Sequence, residues 1–310
     1  MKVSASLGWF LSTGPGKILP AKIMNPLYRF LINELIKESR LEANPGEILS
    51  TPPVVCNPSS GLKVATLVSS KDVEMLIWCL KSLFYFSART WDLVVIDGGL
   101  HPKDVVLLED HFPNVRVLLE SDLTRRFSAE LADFECLKEL RFKRGYAPAK
   151  KIIDAPRVMQ SHKFLLLDSD VLFFRAPHEL VQLLEDRQER FAFSVDQLGV
   201  NSGVAVVPAG RISFVELEKV LRSMSPEKRA GWQVEQELYA SLLDGRFDRL
   251  PIAYAIEPIS NGGYGDLACC HFVHVCRHRF YSEGIRQLRR LDFINQLREK
   301  YASKSPALPR

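Results

Sequence analysis

In the central part of the chain, short apolar runs alternate with longer stretches of mixed apolar and polar residues. The runs that predict the first strands are residues 64–68, 93–96 and 115–118. The stretches between them have the periodicity of helices and begin near Asp72 and Lys103. Strands that alternate with helices predict an α/β fold, with a mostly parallel sheet covered by helices on both faces.

The same alternation continues through the second half of the chain. Lys163–Leu167 is the clearest central strand, because consecutive apolar residues without alternation are expected where both faces of a sheet are buried. Further strands are predicted at residues 191–195, 203–207 and 270–275. Helices are predicted at residues 122–161 with a break at Gly145, 177–185, 212–224, 233–243 and 284–301.

The first sixty residues have a different pattern. Glycines and prolines break the start and the end of this segment. Between these breaks, residues 27–41 predict one amphipathic helix whose apolar face docks on the protein's own core. The predicted organisation is a helical appendage and linker at 1–62, an α/β domain at 63–303 and a tail at 304–310.

The charges and cysteines narrow the choice of function and location. The chain has 41 basic and 37 acidic residues, a formal net charge of +4 without a dominant basic block, and this does not indicate nucleic-acid binding. The six cysteines include no CxxC pair, which favours a reducing, cytoplasmic environment. No apolar run reaches the length of about 20 residues that spans a bilayer, so no transmembrane segment is predicted.

Two carboxylates follow the most buried predicted strand, in the triplet Asp168-Ser169-Asp170. In open α/β sheets, ligands bind at the carboxyl ends of the strands. Carboxylate oxygens are suitable ligands for Mg²⁺ or Mn²⁺, and such an ion neutralises charge on a departing nucleoside diphosphate. The alternative is that the triplet only forms an Asx turn as the chain leaves the strand.

Four segments together resemble the motifs of a known enzyme family. Residues 163–174 resemble the strand and DxD motif of GT-A glycosyltransferases, most closely the retaining, glycogenin-like family 8. The segments that resemble its other motifs, in the family's order, are residues 201–204, 235–238 and 271–274. The resemblance covers residues 63–288 and implies a GT-A, Rossmann-like fold. The Gly and Lys-Pro-Trp that usually follow the histidine are missing, and Arg277, His278 and Arg279 stand nearby.

The resemblance implies a metal site at the end of the strand. Its ligands would be Asp168, Asp170 and a histidine, and the ion would be Mn²⁺ or Mg²⁺. His271 is preferred because an aromatic residue follows it, and His274 is the rival. Their separation is odd, so a strand would place them on opposite faces and only one would face the ion. Without the resemblance, His271 would be interpreted as a buried core histidine.

The resemblance also implies three catalytic candidates, Asn201, Glu235 and Gln236. Asn201 would contact the donor sugar, and Glu235 and Gln236 would lie on the sugar's reacting face. Gln236 is a poor nucleophile, so the expected route is attack on the front face with the leaving phosphate as base. Glu235 and Asp196 are the reserve candidates for a nucleophile. Taken alone, an acidic residue at a helix start only complements the helix dipole.

The residues expected to bind the nucleotide sugar lie at the ends of neighbouring strands and within the motifs. They are Thr66, Ser69, Asp97, Lys150, Ser169 and Gly203. Asp97 is expected to accept a hydrogen bond from the base or the ribose. Lys150 precedes the strand of the DxD motif and is expected to point toward the donor, and a solvated helix face is an equally good interpretation.

The expected function is therefore transfer of a hexose, with retention, from a nucleoside diphosphate sugar to a hydroxyl acceptor, which is a glycan, a lipid or a small molecule. A position at the membrane surface is expected only for a lipid-linked acceptor. The alternatives are a catalytically silent nucleotide-sugar-binding protein and a sugar-phosphate nucleotidyltransferase. The latter needs a glycine-rich, basic phosphate loop after the first strand, and residues 68–72 do not supply one.

Overall fold

The structure is a computed structural model that describes part of the chain. The described residues are 26–143, 146–160, 162–196, 199–231, 233–256, 263–273 and 276–302. The predicted tail at 304–310, the rival ligand His274 and the side chain of Asp196 lie outside them.

Within the described residues, the largest sheet has seven strands in the order β3-β2-β1-β4-β7-β6-β8. These strands are β1 (Lys63–Val68), β2 (Asp92–Asp97), β3 (Arg116–Leu118), β4 (Lys163–Leu167), β6 (Ala192–Asp196), β7 (Gly199–Pro208) and β8 (Asp248–Arg249). Four pairs are parallel: β1 with β2, β1 with β4, β2 with β3, and β6 with β8. β7 runs antiparallel to both of its neighbours, β4 and β6. The predicted α/β class and mostly parallel sheet are therefore confirmed.

Helices cover this sheet. The α-helices are α1 (Pro26–Ala43), α2 (Val73–Ser87), α3 (Pro102–His111), α4 (Glu120–Glu130), α5 (Glu135–Lys138), α6 (Ala149–Ile152), α7 (Asp154–Met159), α8 (His178–Glu185), α9 (Phe214–Ser223), α10 (Pro226–Arg229), α11 (Val234–Leu243), α12 (Arg277–Arg279), α13 (Arg286–Arg290) and α14 (Phe293–Ala302). Two π-helical segments, Glu139–Lys143 and Phe280–Ile285, continue α5 and α12.

The two faces of the sheet belong to two separate apolar cores. Successive residues of a strand point to opposite faces, so Val64 of β1 joins the core under α2 while Ala65 joins the core under α9 and α11. In β4, Leu165 and Leu166 divide in the same way. The apolar run of β4 does not alternate with polar residues because both faces of the strand are buried. The residues that follow β4 lie at the end of the sheet where the strand leaves it.

A second sheet of three strands brings the C-terminal part of the chain to the end of β4. It has the order β5-β10-β9, formed by β5 (Val171–Phe173), β9 (Tyr254–Ile256) and β10 (Cys269–His271). β10 pairs antiparallel with β5, so that His271 lies opposite Val171. β5 was not predicted, because its three residues pair with β10, which lies almost a hundred positions later in the chain.

Several predicted boundaries are wrong. The strand predicted at 270–275 ends at His271, and the helix predicted at 122–161 is interrupted at 131–134, between α4 and α5. β7 begins at Gly199 instead of 203, because its pairing with β6 continues past a register shift at Phe193 and Ser194, and Asn201 therefore lies inside the strand. The predicted helix 284–301 is interrupted between α13 and α14, where Asp292 adopts the left-handed conformation with φ 54°.

The segment before β1 packs on the domain. Ile48, Val54 and Cys56 are buried in the same core as α2, and α1 packs against the segment 277–285. No helix of the described residues is long and apolar enough to cross a membrane. The division of the chain at residue 62 stays a prediction.

A buried lysine of α2 anchors this segment. Lys81 Nζ is hydrogen bonded to Thr51 Oγ1 at 2.7 Å, to the carbonyl of Pro52 at 2.9 Å and to His111 Nδ1 at 2.9 Å. The side chain of Lys81 is fully buried. Because these acceptors lie on the segment before β1 and on α3, Lys81 holds both against α2.

We expect Lys81→Met to lower the free energy of unfolding by about 1–3 kcal/mol, because it leaves buried acceptors without a donor. Urea denaturation measures this change. Lys103→Met, at an exposed lysine of α3, is the control and is expected to change stability by less than about 0.5 kcal/mol. Equal effects of the two substitutions would contradict the anchoring role of Lys81.

Candidate functional site

Backbone hydrogen bonds fix the aspartate turn between two strands. The Asp168 N–H donates to the carbonyl of Gly203 in β7 at 2.9 Å. The Phe272 N–H, just after β10, donates to the carbonyl of Asp170 at 2.8 Å. The turn is thus attached on one side to the large sheet and on the other side to the small sheet that carries His271.

Three possible metal ligands converge at this turn. His271 Nε2 lies 3.1 Å from Asp170 Oδ1 and 3.6 Å from Asp168 Oδ2. One ligand atom from each of the three residues lies within 4.8 Å of the other two. Asp170 and His271 are buried, and Asp168 is partly exposed. Asp170 and His271 are 101 positions apart in the sequence, and folding brings them into one site.

Asn201 determines which nitrogen of His271 carries a proton. Its Oδ1 accepts a hydrogen bond from the Gly203 N–H at 2.9 Å and lies 3.1 Å from His271 Nδ1. An amide oxygen only accepts hydrogen bonds, so Nδ1 must be the donor. In the neutral imidazole the lone pair is then on Nε2, which faces the two carboxylates.

Basic side chains hold the outer oxygens of both aspartates. Lys151 Nζ lies 2.5 Å from Asp168 Oδ1, and Arg277 Nε donates to Asp170 Oδ2 at 2.8 Å. Each carboxylate thus presents its other oxygen to His271. Burial raises the pKa of the Asp170 carboxyl, but the Arg277 guanidinium outweighs it and holds that pKa below its usual range. Burial likewise lowers the pKa of Lys151, but Asp168 and Glu235 outweigh it and raise the pKa.

This set of atoms fits a divalent cation. Two carboxylate oxygens and an imidazole nitrogen that bears a lone pair face one another, and all three are electron-rich. Mn²⁺ and Mg²⁺ bind carboxylate oxygens, and imidazole is a common ligand of transition metals. Asn201 accepts the hydrogen bond that metal-bound histidines usually donate through their other ring nitrogen. Asp168, Asp170 and His271 are therefore the residues that would hold the ion.

Gly203 lets His271 approach the strand. A Cβ atom at position 203 would lie 1.9 Å from His271 Cε1 and 2.2 Å from Nδ1, far inside contact distance. The imidazole therefore lies directly over the backbone of β7. Gly203 was predicted to contact the donor; in the structure its neighbour is the ring of His271.

Glu235 lies in a buried polar group beside the site. Ser202 Oγ donates to Glu235 Oε2 at 3.0 Å, while Oε1 has no hydrogen-bond partner among the described residues. Burial raises the pKa of Glu235 to about 7, opposed by Lys151 and Ser202. Gln236, the next residue of α11, is half-buried.

The residues at the ends of β2 and β3 form their own hydrogen-bond network. Asp97 Oδ1 accepts from the N–H groups of Gly99 and Leu100, both at 2.7 Å, and Oδ2 accepts from the Glu120 N–H at 3.0 Å. Lys150 Nζ lies 2.6 Å from Glu120 Oε2 and 2.5 Å from the carbonyl of Asp97. Both side chains stabilise the edge of the sheet, and donor binding by either stays a prediction.

Of the other predicted donor-binding residues, Ser69 and Ser169 follow the carboxyl ends of β1 and β4, whereas Thr66 does not end its strand. Thr66 is fully buried inside β1, and Ser169 is buried between the two aspartates. Ser69 Oγ donates to Asp72 Oδ2 at 3.1 Å. No contact of these residues with a donor is tested, so their roles stay predictions.

Sequence reasoning missed three residues of the site, Lys151, Arg277 and Asp72. Lys151 is adjacent to Lys150 in a basic run, and only its direction in the folded protein distinguishes it. Arg277 was noted as standing where the usual motif is missing, without a partner. It contacts Asp170 and, through Nη1, Asp72 Oδ1 at 3.1 Å.

The sequence matches no protein-family model and no curated protein. Among solved structures, the galactosyltransferase LgtC in complex with donor and acceptor sugar analogues is similar, with 15% identity and a TM-score of 0.46, over 79% of this chain and 100% of that one. Mouse xyloside xylosyltransferase 1 is similar over 71% of this chain and 98% of its own, with 12% identity and a TM-score of 0.48.

The glycosyltransferase GlyE of Streptococcus pneumoniae TIGR4 is similar over 63% of this chain and 46% of its own, with 16% identity and a TM-score of 0.42. Likenesses this low in identity and TM-score do not assign an activity to this chain. The functional conclusion therefore depends on the geometry of the site.

We expect Gly203→Ala to displace the His271 ring, because the added methyl group occupies its position. Overpacking of this kind lowers the free energy of unfolding by about 1–3 kcal/mol. Chemical denaturation gives this value, and Gly210→Ala is the matched control, since a Cβ atom there meets nothing within 4 Å. A Gly203→Ala protein as stable as the Gly210→Ala protein would refute the close approach.

The buried Glu235 predicts a pH dependence of stability. Its pKa is raised from 4.5 to about 7, so between these pH values the folded protein binds more protons than the unfolded protein. The free energy of unfolding contributed by Glu235 therefore falls as the pH rises through this range. Glu235→Gln should remove this fall, as measured by denaturation at several pH values. Glu216→Gln, at an exposed position, should retain it.

Proposed function

We propose that the protein is a metal-dependent glycosyltransferase of the GT-A type, which transfers a hexose from a nucleoside diphosphate sugar to a hydroxyl acceptor with retention of configuration. The observation that carries the proposal is the convergence of Asp168 Oδ2, Asp170 Oδ1 and His271 Nε2 at the carboxyl end of β4. The DxD-like turn, the asparagine and the histidine resemble the family 8 motifs, and the geometry brings all of them into contact.

The metal site would be formed by Asp168, Asp170 and His271, with Mn²⁺ or Mg²⁺ as the ion. When bound, a divalent cation supplies Lewis-acid stabilisation of the charge that develops on the departing diphosphate. Asn201 contributes by holding the Nδ1–H of His271, so that the ring presents a lone pair to the site. The resemblance implies a second role for Asn201, which is contact with the donor sugar.

Two cations beside the aspartates would supply further attraction for phosphate. Lys151 and Arg277 each contact one aspartate, and both keep their positive charge because their pKa values are raised. Arginine binds phosphate oxygens through paired N–H groups, and lysine binds them as a point charge. Arg277 therefore takes the place of the missing Lys-Pro-Trp segment as the basic residue near the diphosphate.

The transfer step needs no protein nucleophile in this proposal. The acceptor oxygen would form a bond to the anomeric carbon on the face that the diphosphate leaves. The bond from that carbon to the diphosphate oxygen would break. The acceptor proton would pass to the leaving phosphate. Glu235, with Oε1 unpaired in the described part of the chain, would bind a hydroxyl group of the sugar and orient it. Gln236 is its neighbour in the first turn of α11.

The two alternative functions would give different results with a donor panel. A silent nucleotide-sugar-binding protein would bind a donor without releasing nucleoside diphosphate. A sugar-phosphate nucleotidyltransferase would release pyrophosphate from a nucleoside triphosphate. The loop after β1 does not favour the nucleotidyltransferase, because Ser69 and Asp72 bond to each other instead of forming a glycine-rich phosphate loop. The cytoplasmic location belongs to this proposal and rests on six cysteines that form no disulfide.

We expect Asp168→Asn and Asp170→Asn each to lower metal-dependent release of nucleoside diphosphate by about a hundredfold or more, because each removes charge that stabilises the reacting phosphates. The assay is a panel of nucleotide sugars with Mn²⁺ or Mg²⁺, in which released nucleoside diphosphate is measured. Asp133→Asn, at an exposed position, is the control.

Full activity of either aspartate variant, or equal activity with and without a divalent cation, would refute the metal assignment. Release of pyrophosphate from nucleoside triphosphates would support the nucleotidyltransferase. If donors bind but no nucleoside diphosphate is released with any acceptor, the silent binding protein is the correct alternative. Circular dichroism of each variant shows that a loss of activity is not a loss of fold.

A further inference from the structure

Asp72 stands before α2 at the position where an aspartate usually caps a helix. It is the N-cap residue of α2, yet its side chain makes no capping hydrogen bond. An N-cap aspartate normally accepts hydrogen bonds from the backbone N–H groups of the first turn. Here Oδ2 accepts from Ser69 Oγ at 3.1 Å and Oδ1 accepts from Arg277 Nη1 at 3.1 Å. The carboxylate is therefore directed at Arg277 instead of at the helix.

Arg277 connects Asp72 to the metal site. Its Nε donates to Asp170 Oδ2 at 2.8 Å while its Nη1 donates to Asp72. The guanidinium is planar and its N–H groups are fixed relative to one another, so the two bonds together set its orientation. With Oδ2 held by Arg277, the other oxygen of Asp170 faces His271 Nε2 at 3.1 Å. The orientation of Arg277 thus decides which oxygen of Asp170 faces the site.

We propose that Asp72 is a positioning residue of the metal site. It holds Arg277 in place, and Arg277 keeps Asp170 Oδ1 directed at His271. This inference rests on the proposed function, because it concerns the same metal site. Asp72 lies 205 positions from Arg277 in the sequence, on a loop that contributes no candidate ligand. Without Asp72, the guanidinium loses the second bond that fixes its plane, and Asp170 can rotate away from the position in which it binds an ion.

The competing explanation is that the ion pair only attaches the segment after β10 to the domain. An attachment of that kind contributes to the free energy of unfolding but does not change metal affinity. A neighbouring ion pair provides the comparison. Glu74, two positions along α2, pairs with Arg40 at 3.2 Å, and its side chain is 17% exposed against 15% for Asp72. The Glu74–Arg40 pair also joins two segments, but neither residue touches a candidate ligand.

The test is titration of the protein with Mn²⁺ alone. Binding is measured by calorimetry or by electron paramagnetic resonance of the unbound ion. We expect Asp72→Asn to raise the Kd for Mn²⁺ by about tenfold, the lower end of the effect of outer-shell partners of metal ligands. In the transfer assay, the KM for Mn²⁺ should rise by a similar factor, while kcat at saturating Mn²⁺ changes by less than about twofold. Glu74→Gln should leave the Kd within about twofold of the wild-type value.

A double variant shows whether Asp72 acts through Arg277. Asp72 would act on Asp170 only through Arg277. The double variant Asp72→Asn/Arg277→Met should therefore have a Kd within about twofold of that of the single Arg277→Met variant. An unchanged Kd in Asp72→Asn, an equal loss in Glu74→Gln, or full additivity with Arg277→Met would overturn the positioning role. Wild-type protein that neither binds Mn²⁺ nor releases nucleoside diphosphate would overturn the proposed function as well. Wild-type protein that does both, with an Asp72→Asn variant that binds Mn²⁺ equally well, would overturn the positioning role alone.

Discussion

The hydrogen bond between His271 and Asn201 is the interaction on which the rest of the site depends. Asn201 Oδ1 also accepts from the backbone of Gly203, so the amide oxygen, not the amide nitrogen, must face the imidazole. The ring then has its lone pair on the side of Asp168 and Asp170. Two carboxylate oxygens and an imidazole lone pair that converge in this way are suited to bind a cation.

The charges around this centre are arranged in two layers. The inner layer is electron-rich, and the outer layer contains Lys151 and Arg277, each on the far oxygen of one aspartate. An outer cation keeps its aspartate ionised and at the same time fixes its rotation. In the proposed function, the same cations would also attract the diphosphate of the donor. One group of side chains would then serve both metal binding and donor binding.

The local parts of this structure were predictable from the sequence. β4 and the two aspartates after it were found because a doubly buried apolar run and an acidic turn are both signals within a few neighbouring residues. His271 and Asn201 were found only through the resemblance to family 8, since a histidine among apolar residues and an asparagine in a strand have ordinary structural explanations. Their contacts across the fold explain why the resemblance selected them.

The residues that were missed depend on tertiary structure. Lys150 and Lys151 are equal in sequence terms, and packing of α6 turns the first toward Glu120 and the second toward Asp168. In the sequence, Asp72 has the appearance of an ordinary helix cap. Its partner Arg277 lies 205 positions away, and only the folded structure shows their contact. β5 escaped prediction because its pairing partner lies almost a hundred residues later, as the contact of Leu172 with Cys270 shows.

The pairing of β10 with β5 has a consequence for the order in which the protein becomes competent. The two aspartates are synthesised long before the histidine, and domains begin to fold while their C-terminal parts are still being made. A nascent chain that ends before β10 contains Asp168 and Asp170 but neither the imidazole nor Arg277, so its two carboxylates lack both the third ligand and a counter-charge from that segment. In the proposed function, ion binding would therefore require that synthesis has passed both His271 and Arg277.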